Sequence, residues 1–394
     1  MELDELAAWL RLTLSTGIGN GTARKLLAAF GLPQAIFAQP ASALRQVVGP
    51  AQATALLSEP PGIANLLETT HQWLSTPDAT GGHRAIMTIG DARFPGSLLN
   101  IEDPPLMLYA MGVCPAFARD GGGDAQDWIG DISRNIAIVG SRNPTPQGEF
   151  NAREFAKALS EAGLTVVSGL ALGVDGAAHQ GALDGASPGA NPLATIAVVG
   201  TGLDRVYPKR HLELAHRIAQ QGLLLSEFPL GTPALAENFP KRNRIISGLS
   251  QATLVVEAAL RSGSLITARM ASEQGRDVFA VPGSIHSPQS CGCHALIKQG
   301  AKLVESAQDV LEELKVPAAP GARPQARQAD HQPEAGTAQS ELLAQLGFDP
   351  VSLDALVART GMDAAQLQVR LLELELSGDV ARLPGGLFQR VGTA

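Results

Sequence analysis

Three cations and an amide stand together at Lys241, Arg242, Asn243 and Arg244, in the stretch FPKRNRIISGLS that precedes an apolar run. Guanidinium and ammonium groups only donate hydrogen bonds, and they suit phosphate oxygens. Other stretches carry related chemistry. Gly140-Ser141-Arg142 follows IAIVG, Ser168-Gly169 follows TVV, and Arg261-Ser262-Gly263-Ser264 leads into LITARMASEQG, with Thr267 one turn along. Small residues let a backbone approach an anion, while hydroxyls and helix-start amides donate to it. A KRNR run by itself is more often a solvated face or a helix start. Its company here points to a site for several phosphates.

Other reactive groupings are weaker. Asp175 and His179 in GVDGAAHQGAL are four apart on one helical face, the spacing of an acid–base pair. A capping Asp and a packed His are the commoner reading. Cys291, Cys293 and His294 lie close together, with His286 nearby, but lack the second paired motif of zinc sites. Gly200-Thr201-Gly202-Leu203-Asp204-Arg205 lacks the third glycine of a dinucleotide fingerprint, and no acidic ribose contact follows. No Walker A lysine loop occurs, so neither NAD nor ATP hydrolysis is indicated.

The elements that must position these residues are legible between 136 and 310. IAIVG, TVVSG, TIAVVG, GLLLSEF, ATLVVEA and DVFAVPG read as continuously apolar strands, alternating with helical patterns. That pattern predicts an α/β fold with a parallel sheet covered on both faces. Ligands bind such sheets outside the carboxyl ends of the strands. FPKRNR falls on that edge, before the helix RIISGLS. Arg142, Lys241, Arg242, Arg244 and Arg261 are therefore expected to share one rim. One of these arginines is expected to pair with a structural carboxylate, Glu257 being the candidate.

Around this core, residues 1–78 read as a small helical domain in which STGIGNGTARKLLAAFG has a helix-hairpin-helix look. The core spans 84–314, with RAIMTIG and LMLYAMG as further strands and RDGGGDAQDWIGD as an exposed insertion. Residues 315–339 read as a flexible Pro/Ala/Gln linker. Residues 340–394 read as helix, turn at Gly361, helix and hairpin, the order of a winged helix. Their seven Asp+Glu against four Arg fit a protein contact better than a DNA reader.

The chain carries a net charge of −8, yet residues 136–310 hold 15 Lys+Arg and 14 Asp+Glu, so the acidity lies outside the core. No apolar run approaches a membrane span, and MELDELAAWL is acidic, unlike a secretory or transit segment. Three cysteines make no disulfide framework, which fits a reducing cytoplasm. Aromatic residues are 4% of the chain, so base stacking is expected to be a minor part of any nucleic-acid binding.

The motifs VGSRNPTPQG, VVSGLALGVDGAAHQGAL, TIAVVGTGLDRVYPKRH, LLSEFPLG, FPKRNRIISGLS, VVEAALRSGSLITARMASEQGR and FAVPGS occur in this order. Together they resemble the DNA-processing protein A family (DprA, also called Smf). The resemblance implies an extended Rossmann-like core flanked by a small helical N-terminal domain and a C-terminal winged-helix-like domain. It implies a cytoplasmic homodimer that binds single-stranded DNA and helps load the RecA recombinase onto it in natural transformation, without a cofactor or a catalysed reaction. By matching position, Ser141, Arg142, Ser168, Gly169, Lys241, Arg242, Asn243, Arg244, Ser262, Gly263, Ser264 and Thr267 would line the DNA groove. Arg261, placed by its loop, joins them. Gln147 stands where an aromatic is common, and Cys293-His294 where Asn is common. The alternative is a Rossmann-like nucleotide hydrolase or phosphoribohydrolase using Glu257 or Asp175 against a sugar.

Overall fold

The computed structural model describes residues 1–76, 82–113, 132–186, 193–316, 338–348, 350–383 and 385–391. Six helices open the chain: α1 (Leu3–Leu14), α2 (Asn20–Phe30), α3 (Pro33–Phe37), α4 (Ala41–Leu44), α5 (Pro50–Leu57) and α6 (Ile63–Ser75). Strands β1 (His83–Thr88) and β2 (Met107–Gly112) follow. The parallel unit then runs β3 (Asn135–Gly140), α7 (Pro146–Glu161), β4 (Thr165–Ser168), α8 (Val174–Gly185), β5 (Thr195–Val199), α9 (Leu212–Gln221) and β6 (Leu223–Ser226). It continues through α10 (Asn238–Gly248), β7 (Ala252–Val256), α11 (Gly263–Glu273), β8 (Asp277–Ala280), α12 (Cys291–Lys298), β9 (Lys302–Leu303) and α13 (Ala307–Glu313).

The sheet order is β1-β2-β6-β5-β4-β3-β7-β8-β9. Strands β3 to β9 are parallel, and β2 and β1 add an antiparallel edge beside β6. The predicted α/β core is therefore present. The five central strands are buried almost throughout, which is why each reads as an unbroken apolar run. Their side chains alternate between two layers. Ile196 and Val198 of β5 join the cluster of α10, α11 and α12, whereas Ala197 and Val199 join that of α9 and the N-terminal helices. Helices α7 and α8 cover β3, β4 and β7 on the face opposite α10 and α11. The chain enters at β3, steps outward to β6, then returns to β7 on the far side of β3. Strand direction of travel reverses between β3 and β7, and a crevice opens there at the carboxyl ends.

The N-terminal helices share one apolar cluster with β1, β2, β5 and β6, and Trp73 meets Tyr109 edge-on at 6.3 Å. The polar groups of the hairpin-like turn also face the core. Asn20 Nδ2 donates to Asp103 Oδ2 at 3.1 Å and Glu227 Oε1 at 2.9 Å, and Arg24 Nη1 to Asp103 Oδ1 at 3.0 Å. Arg244 of α10 closes the same cluster, its Nη2 donating to both Glu227 oxygens at 2.6 Å. This turn is a packing joint.

The C-terminal unit consists of α14 (Ala338–Leu346), β10 (Val351–Ser352), α15 (Leu353–Thr360), α16 (Ala364–Ser377), β11 (Val380–Leu383) and β12 (Leu387–Arg390). Its strands pair in the order β10-β12-β11 over a separate core that includes Leu356, Leu367, Leu371 and Phe388. Gly361 caps α15 in the left-handed region at φ 67°, the turn predicted there. The expected linker and the insertion RDGGGDAQDWIGD fall almost wholly outside the described residues.

His179 of α8 is fully buried, and its Nδ1 lies 2.7 Å from Thr195 Oγ1 on β5. Because Thr195 donates to Val166 O, it accepts from His179, which fixes the neutral ring with the proton on Nδ1. Burial, helped by the charges of His211 and Arg242, lowers its pKa to about 3. It is a packed histidine.

Two outcomes are expected from these contacts. Arg244→Met leaves the largely buried Glu227 carboxylate without its cation and with only the Asn20 amide, so the unfolding free energy should fall by about 2–4 kcal/mol, read from the denaturant midpoint; an unchanged midpoint contradicts the joint. For His179, the unfolded chain takes up the proton first as pH falls, because its pKa there is near 6.5. Stability from this site is complete above that pH and drains away toward pH 3, by up to ~1.4 kcal/mol per pH unit. His179→Asn, which keeps a donor for Thr195, should flatten that slope, and equal slopes in the two proteins contradict it.

Candidate nucleic-acid interface

Helix α10 begins at Asn238, so the basic run forms its first turns and does not precede it. Pro240 is compatible with this, because the first-turn N–H groups have no intrahelical partner. Successive residues on a helix point about 100° apart, and the four polar residues part company. Lys241 is exposed, Arg242 is buried against the strand ends, Asn243 faces α11, and Arg244 reaches Glu227.

Arg242 is the buried member, at 5% exposure. Its guanidinium donates to Gly169 O and, at 2.7 Å, to Val198 O, the carbonyls at the ends of β4 and β5. Asp175 Oδ2 lies 3.8 Å away and also accepts from Ala171 N at 3.3 Å. Burial lowers the Arg242 pKa to about 10, with Asp175 opposing the shift. Burial raises that of Asp175, against the pull of Arg242 and Arg142. Gly169 has no room for a side chain, since a Cβ there would stand 2.3 Å from the guanidinium. Among the described residues Arg242 Nε has no hydrogen-bond partner.

Above this floor opens a cleft of about 750 Å³ at the reversal between β3 and β7. Ser141, Arg142 and Asn143 form its wall after β3, with the Ser141 hydroxyl accepting from Asn143 N at 3.1 Å. Ser262 caps α11 from the other side, accepting from Ser264 N at 3.3 Å and meeting Ser264 Oγ at 2.7 Å. The positive end of the α11 dipole thus faces the cleft, with Ser262, Gly263 and Ser264 lining it. Arg142 and Arg261 are exposed there, beside Gly263 and the buried Thr267. Phe239 of α10 lies between two cations, 5.5 Å from Arg142 Cζ and 5.6 Å from Arg242 Cζ.

The Ser141–Thr145 loop is held by Glu257, which adopts φ 51° at the end of β7. Its carboxylate accepts from Thr145 N at 2.8 Å and from Thr145 Oγ1 at 2.5 Å, and Thr145 in turn caps α7. Glu257 therefore pairs with a threonine and not with an arginine. Burial raises its pKa, while the Thr145 bonds lower it. Cys293 is buried, with its pKa raised to about 11 by burial, and a His294 ring nitrogen lies 3.0 Å from Gly283 O. Gln147 Nε2 donates to Asn151 Oδ1 at 2.7 Å. Among the described residues no group of three metal-ligating side chains comes together.

Three of the five cations expected on one rim line the cleft: Arg142, Arg242 and Arg261. Lys241 stands outside it, and Arg244 is committed to the joint with the N-terminal helices. Ser168 is also elsewhere, buried and donating to Ile138 O at 2.6 Å, and Gly169 acts beneath the floor through its carbonyl. Sequence reasoning missed Tyr207 and Gln289, both of which line the cleft. The only sequence signal for Tyr207 is its place in RVYPKRH, beyond the residues nearest the end of β5.

Comparison with known proteins agrees with this architecture. The family model for DNA recombination-mediator protein A matches residues 85–315, and that for the DprA winged helix domain matches 324–386. Protein Smf of Escherichia coli is 43% identical over 324 residues, covering 81% of this chain and 80% of its own length. The DNA processing protein DprA of Streptococcus pneumoniae is 44% identical over 228 residues, covering 58% of this chain and 73% of its own. The X-ray structure of that pneumococcal protein superposes with a TM-score of 0.60 at 34% identity, covering 79% of this chain and 98% of its own. The chain belongs to the DprA/Smf family of DNA recombination mediators and carries that family's winged helix domain.

Proposed function

We propose that the cleft grips the phosphates of single-stranded DNA with little regard to sequence, and that the protein helps load RecA recombinase onto that strand during natural transformation. One observation carries the first part. Two exposed guanidinium groups, the amino end of α11 and its capping serines converge on a single open crevice, in a chain whose net charge is negative. Such a site holds a polyanion by charge and by backbone donors, neither of which reads bases. RecA loading, a homodimeric state and a cytoplasmic setting are part of this proposal, supported by the family resemblance; no described helix is long and apolar enough to cross a membrane.

The hydrolase alternative needs a carboxylate free to act on a sugar. Glu257 is occupied by Thr145, and Asp175 by Arg242 and Ala171. Both are built into the frame, which favours binding over hydrolysis.

Anisotropy titration with fluorescent oligonucleotides tests the reading. Three to five phosphate contacts give a salt slope of roughly −2 to −3.5 for single strands, and Arg142→Ala should weaken binding and flatten that slope by about 0.7. Competition by micromolar free mononucleotide, with turnover of that nucleotide, would favour the enzyme instead.

A further inference from the structure

Tyr207 lines the cleft, is 49% exposed, and has no hydrogen-bond partner for its hydroxyl among the described residues. Its ring centroid stands 5.5 Å from that of Phe239, with the planes inclined at 41°. The two aromatics are not equivalent. Phe239 already has Arg142 and Arg242 against it, and it packs close over Gly200, where a Cβ would come within 3.2 Å of the ring. Tyr207 touches Phe239 and is otherwise about half exposed at the cleft.

The segment carrying Tyr207 is anchored on both sides. Leu203 and Val206 join the apolar cluster shared with the N-terminal helices, and His211 Nδ1 lies 3.1 Å from Leu170 O. Between Tyr207 and that anchor, Lys209 and Arg210 are exposed in a short 3-10 turn and enter no ion pair among the described residues. Tyr207 thus shares the cleft with Arg142, and two exposed cations follow it within three residues of chain.

We infer that Tyr207 is a base-stacking platform: a nucleobase lies on its exposed face while the flanking phosphates engage Arg142 on one side and Lys209 or Arg210 on the other. The inference rests on the single-strand reading above and names what that reading leaves open, the contact to the base. Stacking on an aromatic ring is tolerant of sequence, because every base has a π-face, so it adds affinity without selecting a site. It also separates a nucleic acid from other polyanions of equal charge. The low aromatic content of the chain does not exclude such a role, since one well-placed ring is enough.

The test uses the full chain, with oligothymidylate and an equally long abasic oligonucleotide as probes in anisotropy titrations. Tyr207→Ala should weaken oligothymidylate binding by roughly 5- to 100-fold, the factor expected for one stacked base. It should leave abasic binding nearly unchanged, and Tyr207→Phe should bind both probes as wild type does. An unchanged thermal midpoint for both variants ties any loss to binding. Wild-type affinity in Tyr207→Ala, or equal losses on both probes, overturns the stacking role while the phosphate reading stands. Failure of the wild-type protein to bind either probe overturns both.

Discussion

The functional edge of this protein depends on one buried guanidinium. At the carboxyl ends of parallel strands the last carbonyls point out of the ladder, and a buried carbonyl without a donor is costly. Arg242 supplies donors to two of them, at Gly169 and Val198, and Asp175 balances its charge. Removing either charged partner would leave the other in a low-dielectric interior, where an unpaired charge is strongly unfavourable. Gly169 follows from the same geometry, because no larger residue fits beneath the guanidinium. The crevice at the strand reversal therefore has a rigid, charge-balanced floor before any ligand arrives.

The rim is built by different means. Glu257 fastens the loop after β3 through Thr145, and the same threonine starts α7. Ser262 starts α11 on the opposite side. Both walls are thus helix beginnings, one capped by a hydroxyl that a carboxylate holds and one by a pair of serines. This leaves Arg142 and Arg261 as exposed cations over a fixed base, an arrangement suited to a flexible polyanion whose phosphates differ in spacing. Local charge matters most for this purpose, because exposed charges further away than a Debye length, about 10 Å at 0.1 M salt, are largely screened.

Much of this was readable in the chain. Strands buried on both faces announce themselves as unbroken apolar runs, and a Gly-Ser-Arg or Ser-Gly-Ser turn after such a run marks the binding edge. The rest was hidden for specific reasons. Pro240 and three charges made the start of α10 look like a loop, and placing the run in the helix sends Lys241, Arg242 and Arg244 in different directions. The commitment of Arg244 to Glu227, and with it to Asn20 and Asp103, joins residues from four distant stretches. No local pattern encodes such a partnership. Glu257 was expected to pair with an arginine, but its partner is a threonine 112 residues away in sequence. Tyr207 escaped notice because it enters the cleft from a loop well past its strand.

Amide hydrogen exchange of the full chain, with and without oligothymidylate, bears most directly on the claim that two helix beginnings and their cations at the strand reversal hold the polyanion. The account predicts slowed exchange in residues 141–143 and 262–264, which line the cleft. Protection confined to residues 1–76 or 338–391, with both loops unchanged, would contradict it.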